Sequence, residues 1–484
     1  MKHIALARAA TWVLVASLAA CASAPNYQPP QLDLKDDAWR DNPWQPAAPA
    51  DEQPHGAWWQ TFGDAELDAL QVQLEQGSPD LAVALARFDQ ATAYMQAARA
   101  ALLPSLDSAA SVTGNRQSKN RPLRGSNQPD VYGANTIGIS MSYELDLWGR
   151  VRSLVASGEA LAQASAADLQ AVRLSLHAQL TESYVSLRGV DTELLLLRET
   201  VLTYERALQL TRNRHGAGIS SGLDVARAQT QLSSAQALVS ELEVHRAQLE
   251  HAIASLLGEP AQSFQLAVRA ADLKAPELPV GQPSTLLQRR PDVAAAERRV
   301  ASANAAIGVA RAAFFPTFTF GPSYGFQNTG GENWISAPNR YWSIGPAVNF
   351  NLFDAGLRKS QLAQARAAWD EAGARYRSVV MNAFQQVEDE MARLSLYKVE
   401  IEQQTQAETA AHQALQLAMS RYRDGAIDYL EVVSAQTTDL QIRRAMLNLQ
   451  NQRLLSSVRL VRALGGGWDK NSLALPSPTS VRGG

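Results

Sequence analysis

Two stretches of this 484-residue chain repeat one another, and this duplication constrains the fold more than any other feature. Residues 98–106, ARAALLPSL, return at 310–318 as ARAAFFPTF, 212 positions later. The correspondence resumes at an offset of 207, where Leu223-Asp224-Val225 matches Leu430-Glu431-Val432. A duplicated unit of this size predicts either two similar domains or one pseudo-symmetric body.

Each copy is predicted to contain long helices. Proline is absent from residues 131–259 and again from 347–475, and Leu and Ala recur at helical spacing in both stretches. Residues 153–212 would span roughly 90 Å at about 1.5 Å per residue, and two shorter segments together reach a similar length. We therefore expect one long helix and two shorter ones in each copy. Runs of this length favour a coiled coil or a helical barrel in which neighbouring helices stabilise one another.

The segments between the helices alternate between apolar and polar residues. From Ile137 to Leu147 every odd position is apolar, and every even position is Gly, Ser, Glu or Asp. Residues 317–326 and 347–352 alternate in the same way, and the segment after Pro104 does so more weakly. Eleven alternating residues are about what a tilted strand needs to cross a bilayer. A half-buried sheet in a soluble protein gives the same pattern. In either case we expect four strands per chain.

The amino terminus favours the membrane alternative. Lys2, His3 and Arg8 precede an apolar run that is too short to span a bilayer and is typical of a secretory signal peptide. Cys21 is the only cysteine and follows small residues, as in a bacterial lipobox, although a signal peptide can also contain a cysteine incidentally. We expect Cys21 to carry a covalent lipid that anchors the chain to the outer membrane, and we expect no other cofactor.

Four strands cannot close a barrel, and an open sheet edge is not tolerated in lipid. Bacterial barrels have even strand numbers from eight upward, so two copies would give a nearly filled interior and three would leave a water path. A conduit therefore favours a homotrimer.

Several segments, in order along the chain, then carry a family resemblance: Trp58–Asp64, Ser142–Arg150, Arg289–Val293, Leu352–Gly356, Arg421–Gly425 and Ala463–Trp468. They resemble the signature motifs of TolC-like outer-membrane efflux factors, in the lipoprotein (NodT/OprM-type) branch of resistance-nodulation-division efflux systems. The resemblance implies a mainly α fold with membrane β. A trimeric 12-stranded β-barrel, with four strands per chain, is continuous with a long periplasmic α-helical barrel built from two pseudo-symmetric repeats per chain.

The same resemblance implies the partners, which are a periplasmic membrane-fusion adaptor and an inner-membrane resistance-nodulation-division pump. It places the protein in the outer membrane, extending into the periplasm. Asn351 departs from the family pattern, because many relatives have Pro there.

Composition and the repeat boundaries predict the organisation of the chain. We expect a signal peptide over 1–20, a lipid-anchored tether over 21–64, the first repeat over 65–258, an equatorial connector over 259–284, the second repeat over 285–464 and a C-terminal tail over 465–484.

The sequence contains no convincing active site. After removal of Lys2 and Arg8, 42 basic residues face 47 acidic ones, and this net charge of −5 argues against a nucleic-acid partner. Gly321–Gly325 has the G-x-S-x-G spacing of a hydrolase elbow around Ser323, but it lies in an alternating strand that no helix follows. The histidines lack metal-ligand spacing. We therefore expect neither an enzyme nor a metal site.

The turns at the far ends of the long helices are the candidate gate. The spacing Arg-x-Arg-x-Gly ends at Gly216 and again at Gly425, and Asp224 and Glu431 occupy equivalent positions beyond these turns, with Asp428 nearby. The resemblance implies an acidic constriction at Glu431 and a tyrosine at position 422, Tyr422, that helps to latch the closed state. The alternative is that Asp224 and Glu431 only stabilise helix N-termini through the macrodipole.

These patterns predict the channel component of a tripartite efflux system, a passive export duct for small solutes that is gated at its periplasmic helical tip. The alternative is a lipid-anchored periplasmic coiled-coil scaffold or adaptor without a pore.

Overall fold

The computed structural model describes residues 27–28, 57–121, 128–274, 290–330 and 333–466. The expected signal peptide, Cys21, most of the tether, the second part of the connector and nearly all of the tail lie outside these residues.

Seven α-helices form two matching series in the described part of the chain. The first series is α1 (Ala65–Gly77), α2 (Pro79–Ala100), α3 (Arg150–Gly216) and α4 (Gly222–Leu257). The second is α5 (Pro291–Ala312), α6 (Leu357–Arg423) and α7 (Tyr429–Ala463). α3 and α6 each contain 67 residues, whereas α2 and α5 each contain 22. The expected long helix with two shorter ones is present in each repeat, and the first series has one further short helix, α1.

The strands form one antiparallel sheet. They are β1 (Ser105–Arg116), β2 (Val131–Leu145), β3 (Thr317–Phe320), β4 (Ser323–Asn328), β5 (Arg340–Ser343) and β6 (Pro346–Asn349). β1 pairs with β2, β2 pairs with both β3 and β4, β4 pairs with β5, and β3 pairs with β6. β3 and β4 therefore form one pass of the chain across the sheet, interrupted at Gly321-Pro322. β5 and β6 form another, interrupted at Ile344-Gly345. The chain crosses the sheet four times, as expected.

The strand ends differ from the sequence-based expectation. The strand expected to reach Leu147 ends at Leu145, because the carboxylate of Asp146 accepts hydrogen bonds from the backbone N–H groups of Val151 (3.0 Å) and Arg152 (2.9 Å). Asp146 thus satisfies free amides at the start of α3. The strand expected over 347–352 ends at 349. The segment after Pro104, with the weakest alternation, pairs with β2 along all twelve residues of β1.

The chain divides into two compact units. Unit 1 comprises Met1–Leu32, Phe88–Ser165 and Ala296–Tyr376 and contains the whole sheet. In it, the Tyr27 hydroxyl donates a hydrogen bond to Oε1 of Glu297 at 2.6 Å, so this N-terminal residue contacts α5.

Unit 2 comprises Asp33–Arg87, Ala166–Ala295 and Arg377–Gly484 and contains both turns between the long and the short helices. Its core is centred on α3, which supplies the fully buried side chains Leu180, Tyr184, Leu187, Leu194 and Leu197. None of the described helices is both long and apolar enough to cross a bilayer.

A charged network in unit 2 joins three helices to the segment that follows α4. Arg188 and Asp191, both fully buried on α3, form an ion pair of 2.6 Å, and Arg188 also pairs with Glu66 at the start of α1. Arg269 lies 2.8 Å from Oδ2 of Asp64. Burial opposes ionisation of Asp64 and Glu66, but hydrogen bonds from Arg269 and other donors outweigh it and lower the pKa of both carboxyls.

Candidate functional site at the helix-tip turns

The two candidate gate turns in unit 2 have the same backbone structure. In the first, which joins α3 to α4, the N–H of Ile219 donates to the carbonyl of Arg214 at 2.8 Å. In the second, which joins α6 to α7, the N–H of Ala426 donates to the carbonyl of Arg421 at 2.8 Å. These bonds are typical of a helix C-terminus that ends in a left-handed residue, where glycine has no steric penalty.

The positions of the left-handed glycines show that the expected equivalence of Gly216 and Gly425 is wrong. Gly218 has φ +77° and Gly425 has φ +76°, so Gly218 is the counterpart of Gly425. Gly216, expected in that role, is instead the last residue of α3. The Arg-x-Arg-x-Gly spacing matched the two turns at an offset of 209, whereas their backbone hydrogen bonds match at 207. The offset of 207 between equivalent residues of the two repeats therefore also holds within the turns.

In this register Ser221 corresponds to Asp428, and Asp224 to Glu431. Ser221 is the N-cap of α4 and forms a reciprocal capping box. Its Oγ accepts from the N–H of Asp224 at 3.2 Å, and Oδ2 of Asp224 accepts from the N–H of Ser221 at 3.1 Å. The guanidinium of Arg227 lies 3.7 Å from the other carboxylate oxygen. Asp224 is thus engaged in stabilising the helix N-terminus, as the alternative interpretation of this residue expects.

The second turn lacks this capping box. Asp428 is the N-cap of α7 but makes no capping hydrogen bond with its side chain, and Glu431 stands three residues later. In the first turn the Ser221 hydroxyl also donates to Oδ2 of Asp224 at 2.9 Å, and a carboxylate at position 428 has no hydrogen with which to make the corresponding bond. Both Asp428 and Glu431 are exposed in the single chain. Neither forms an ion pair with any residue in the described ranges.

Tyr422 lies beneath the second turn and contacts the first. Its side chain is 5% exposed, and its ring packs against Tyr429 with the centroids 5.2 Å apart. The guanidinium carbon of Arg214 lies 4.8 Å from the centre of the Tyr422 ring, and Nη1 of Arg214 donates to the backbone carbonyl of Tyr422 at 3.0 Å. Arg214 therefore joins the two turns by a hydrogen bond and a cation–π contact.

The hydroxyl of Tyr422 has a different environment from its ring. It is buried and finds no hydrogen-bond partner among the described residues. The aromatic ring and the backbone of Tyr422, not its hydroxyl, thus make the contacts that join the turns.

Sequence reasoning missed three members of this site. The sequence indicated Arg214 only through the Arg-x-Arg-x-Gly spacing, and it gave no indication of Tyr204 and Tyr429. Both tyrosines are buried in one cluster with Tyr422 and Val432. The repeat register offers one usable signal, because an offset of 207 pairs Arg214 with Arg421, but the contact of Arg214 with the other turn depends on tertiary packing.

The remaining candidate sites are simpler. Ser323 is the first residue of β4, and the next regular elements are a short 3-10 helix and β5, not the long helix that a nucleophile elbow needs. In the ranges that the structure describes, no group of three His, Cys, Asp or Glu side chains could hold a metal ion. Cys21 lies outside those ranges.

The fold and the tip define a class of protein: two repeats of paired long helices with acidic turns at one end, and a four-pass antiparallel sheet. A family model described as "Outer membrane efflux protein" matches residues 70–259 and 282–466. The chain belongs to this family, as the resemblance of its motifs predicted.

Two curated relatives match nearly the whole chain. Outer membrane protein OprJ of Pseudomonas aeruginosa is 32% identical over 467 residues, which cover 95% of each chain. Pyoverdine export outer membrane protein OpmQ of the same organism is 32% identical over 425 residues, which cover 86% of this chain and 89% of the relative.

Two solved structures also match. The outer-membrane channel OprN superposes with a TM-score of 0.85 at 31% identity, covering 93% of this chain and all of that one. The outer membrane protein VceC of Vibrio cholerae has a TM-score of 0.80 at 27% identity, covering 86% of this chain and all of that one.

These comparisons confirm the predicted function and fold class. The protein is the outer-membrane channel component of an efflux system, a transport duct and not an enzyme. The solved neighbour OprN is an outer-membrane channel, and further curated relatives from Pseudomonas putida are efflux pump outer membrane proteins by name. The alternatives of a scaffold without a pore and of an anchored hydrolase have no support among these relatives.

Proposed function

We propose that three copies of this chain form a homotrimer in which twelve strands close one barrel. Two features support this assembly. In the described part of the sheet, β1 pairs on one side only and β5 and β6 form the opposite edge, and such edges need partners within lipid. In addition, the second half of α6 exposes large apolar side chains in the single chain at Leu396 (66%), Val399 (51%) and Leu417 (58%). A neighbouring copy would cover such a row.

The trimer exports small solutes passively and takes its energy from its partners. These are a periplasmic membrane-fusion adaptor and an inner-membrane pump of the resistance-nodulation-division type. The names of the matched relatives support this, since among them are efflux pump outer membrane proteins of Pseudomonas putida.

The lipid anchor is the covalent group on Cys21. The lipobox-like sequence before Cys21 supports this assignment, as does the contact of Tyr27, six residues later, with α5. Replacement Cys21→Ser should abolish incorporation of labelled palmitate into the protein, because no other thiol is present. The neighbouring variant Ser23→Ala is the control and should retain the label. Labelled Cys21→Ser protein would contradict the assignment.

The gate lies at the second helix-tip turn. In a trimer Asp428 and Glu431 would each occur three times around the axis, and close like charges favour cations over anions. The observation that supports this most strongly is chemical. The first repeat uses Ser221 and Asp224 as a capping box, whereas the second places two exposed acids at the same positions and gives up the capping bonds.

Arg214 holds the second turn against the first and thereby stabilises the closed state. We expect Arg214→Ala to increase single-channel conductance in planar bilayers, because both the hydrogen bond to Tyr422 and the cation–π contact are lost. Arg421→Ala is the matched control. Arg421 is the exposed counterpart in the repeat, so its removal should leave conductance unchanged.

A second variant tests which part of Tyr422 matters. Tyr422→Phe should behave like the wild type, because the hydroxyl has no partner among the described residues. If Arg214→Ala conducts like the wild type, the proposed role of this contact is wrong.

A further inference from the structure

A polar cavity lies in unit 2, away from the turns, between α3, α6 and α7. Its volume is about 100 Å³, and it is lined by both polar and apolar side chains: Glu199, Thr200, Thr203, Tyr204, Leu415, Met419, Gln436, Asp439, Leu440 and Arg443. This is enough room for a small ion with some of its water. Tyr204 also belongs to the buried cluster around Tyr422, whereas Gln436 and Asp439 do not.

Two acceptor oxygens in this cavity are buried without a donor. Gln436 is 2% exposed and Asp439 is 5% exposed. Oε1 of Gln436 and Oδ1 of Asp439 have no hydrogen-bond partner among the described residues. The nearest nitrogen atoms of basic side chains are Nδ1 of His412, 3.5 Å from Oδ1 of Asp439, and Nη1 of Arg443, 4.0 Å from Oδ2. These distances are at or beyond the limit of a hydrogen bond, so the carboxylate is poorly compensated.

The hydroxyls in the lining add further acceptors. Thr200 and Thr203 donate their hydroxyl hydrogens to carbonyls of their own helix, at 2.8 Å and 3.1 Å. The Tyr204 hydroxyl donates to the backbone carbonyl of Gln436 at 3.4 Å. Because these hydrogens are already used, the hydroxyl oxygens can offer only lone pairs to an occupant. This lining therefore suits a cation, which several oxygen atoms can coordinate through their lone pairs.

We propose that this cavity binds one monovalent alkali cation, Na⁺ or K⁺. Its ligands are Oε1 of Gln436, Oδ1 of Asp439 and a threonine hydroxyl oxygen, and water completes the coordination. Hard cations prefer such oxygen ligands. The site suits a single charge, because Asp439 supplies the only buried carboxylate among the lining residues.

The cation would connect helices of both repeats. Thr200 and Thr203 lie on α3 and Gln436 and Asp439 on α7, so a bound ion bridges these two helices. An ion that binds the folded protein and not the unfolded chain raises its stability by mass action. The inference is independent of the gate, since it concerns other residues and another measurement.

Thermal unfolding of the purified full chain in detergent tests the site. The wild type should unfold a few degrees higher in NaCl or KCl than in choline chloride of the same ionic strength, because the fully alkylated nitrogen of choline cannot be coordinated directly by oxygen ligands. Asp439→Asn should remove this difference, and Thr203→Val, which deletes one oxygen, should reduce it. Glu402→Gln is the control for general charge effects. Its carboxylate is exposed on α6, and this variant should keep the full difference.

A second measurement applies even if Asp439→Asn fails to fold. Wild-type crystals soaked in a thallium(I) salt should show an anomalous peak within coordinating distance of Gln436 and Asp439. Water alone in the cavity, an empty cavity, or equal unfolding temperatures of the wild type in the alkali and choline salts would each overturn the proposal.

Discussion

The acidic residues at the helix tips show how one backbone position acquires two roles. Asp224 and Glu431 are equivalent in the repeat, but only Asp224 is engaged in a capping box. The sequence predicted that both lie near the turns, because the repeat register is visible in it. It did not predict which acid is engaged, because that depends on the residue at the N-cap and on side-chain geometry. The two turns differ at the N-cap, which is Ser221 in the first and Asp428 in the second.

Arg269 provides a residue-scale prediction about pH. Against the opposing effect of burial, its hydrogen bonds lower the pKa of Asp64 and Glu66 below their ordinary values of 3.8 and 4.5. Carboxyls with a lowered pKa in the folded state stabilise it above those ordinary values, and this contribution is lost as the pH falls through the lower folded-state values. Arg269→Met should therefore lower the unfolding temperature at pH 7 more than in strongly acidic solution.

The control for this prediction is Arg198→Met. Arg198 and Glu243 form an exposed ion pair, with side chains 48% and 51% exposed, and such pairs contribute little to stability. If Arg269→Met and Arg198→Met lower the unfolding temperature equally at neutral pH, the network around Arg269 does not have the proposed effect.

At the scale of elements, the sequence predicted which segments are helices and strands better than where they end. Proline-free helical periodicity gave the long helices, and alternation gave the four passes of the sheet. The ends depend on local competition for backbone hydrogen bonds, as where Asp146 ends β2. The break at Gly321-Pro322 has a similar cause, because Pro322 has no N–H to donate to a neighbouring strand. Its carbonyl still accepts from the N–H of Met141 at 2.9 Å.

A close contact between three strands gives a prediction at this scale. Gly325 pairs with Gly138 on β2 and with Tyr341 on β5. A Cβ atom on Gly325 would lie 2.7 Å from Cα of Gly138 and 2.9 Å from Cε1 of Tyr341. Gly325→Val should therefore destabilise the protein by about 1–3 kcal/mol, as overpacking commonly does, and this loss can be measured by thermal unfolding.

Gly114→Val is the matched control within the same sheet. Gly114 lies in β1, and a Cβ atom there meets nothing within 4 Å. We expect this variant to match or exceed the wild type in stability, since valine favours strands. Equal destabilisation by both substitutions would mean that the close contact at Gly325 is not the cause.

At the scale of the whole molecule, the proposed function depends on the assembly of several copies of the chain. The duplication, the signal-like amino terminus and the alternating strands together predict a multi-copy channel from the sequence alone. The buried cluster around Tyr422 and the polar cavity at Asp439 could not be predicted, because both join residues far apart in sequence. The pairing of equivalent residues in the two helix-tip turns is predictable from the sequence, because the same offset of 207 holds before and after the turns.

We propose that the chain forms a conduit whose conductance is limited by Asp428 and Glu431 of the second turn. The most direct test is the single-channel conductance of purified protein in planar bilayers. The double variant Asp428→Ala/Glu431→Ala should conduct more than the wild type and be blocked less by divalent cations, whereas Asp224→Ala should lose stability without this gain. Unchanged conductance in the double variant, or a wild-type protein that conducts no ions, would contradict the account.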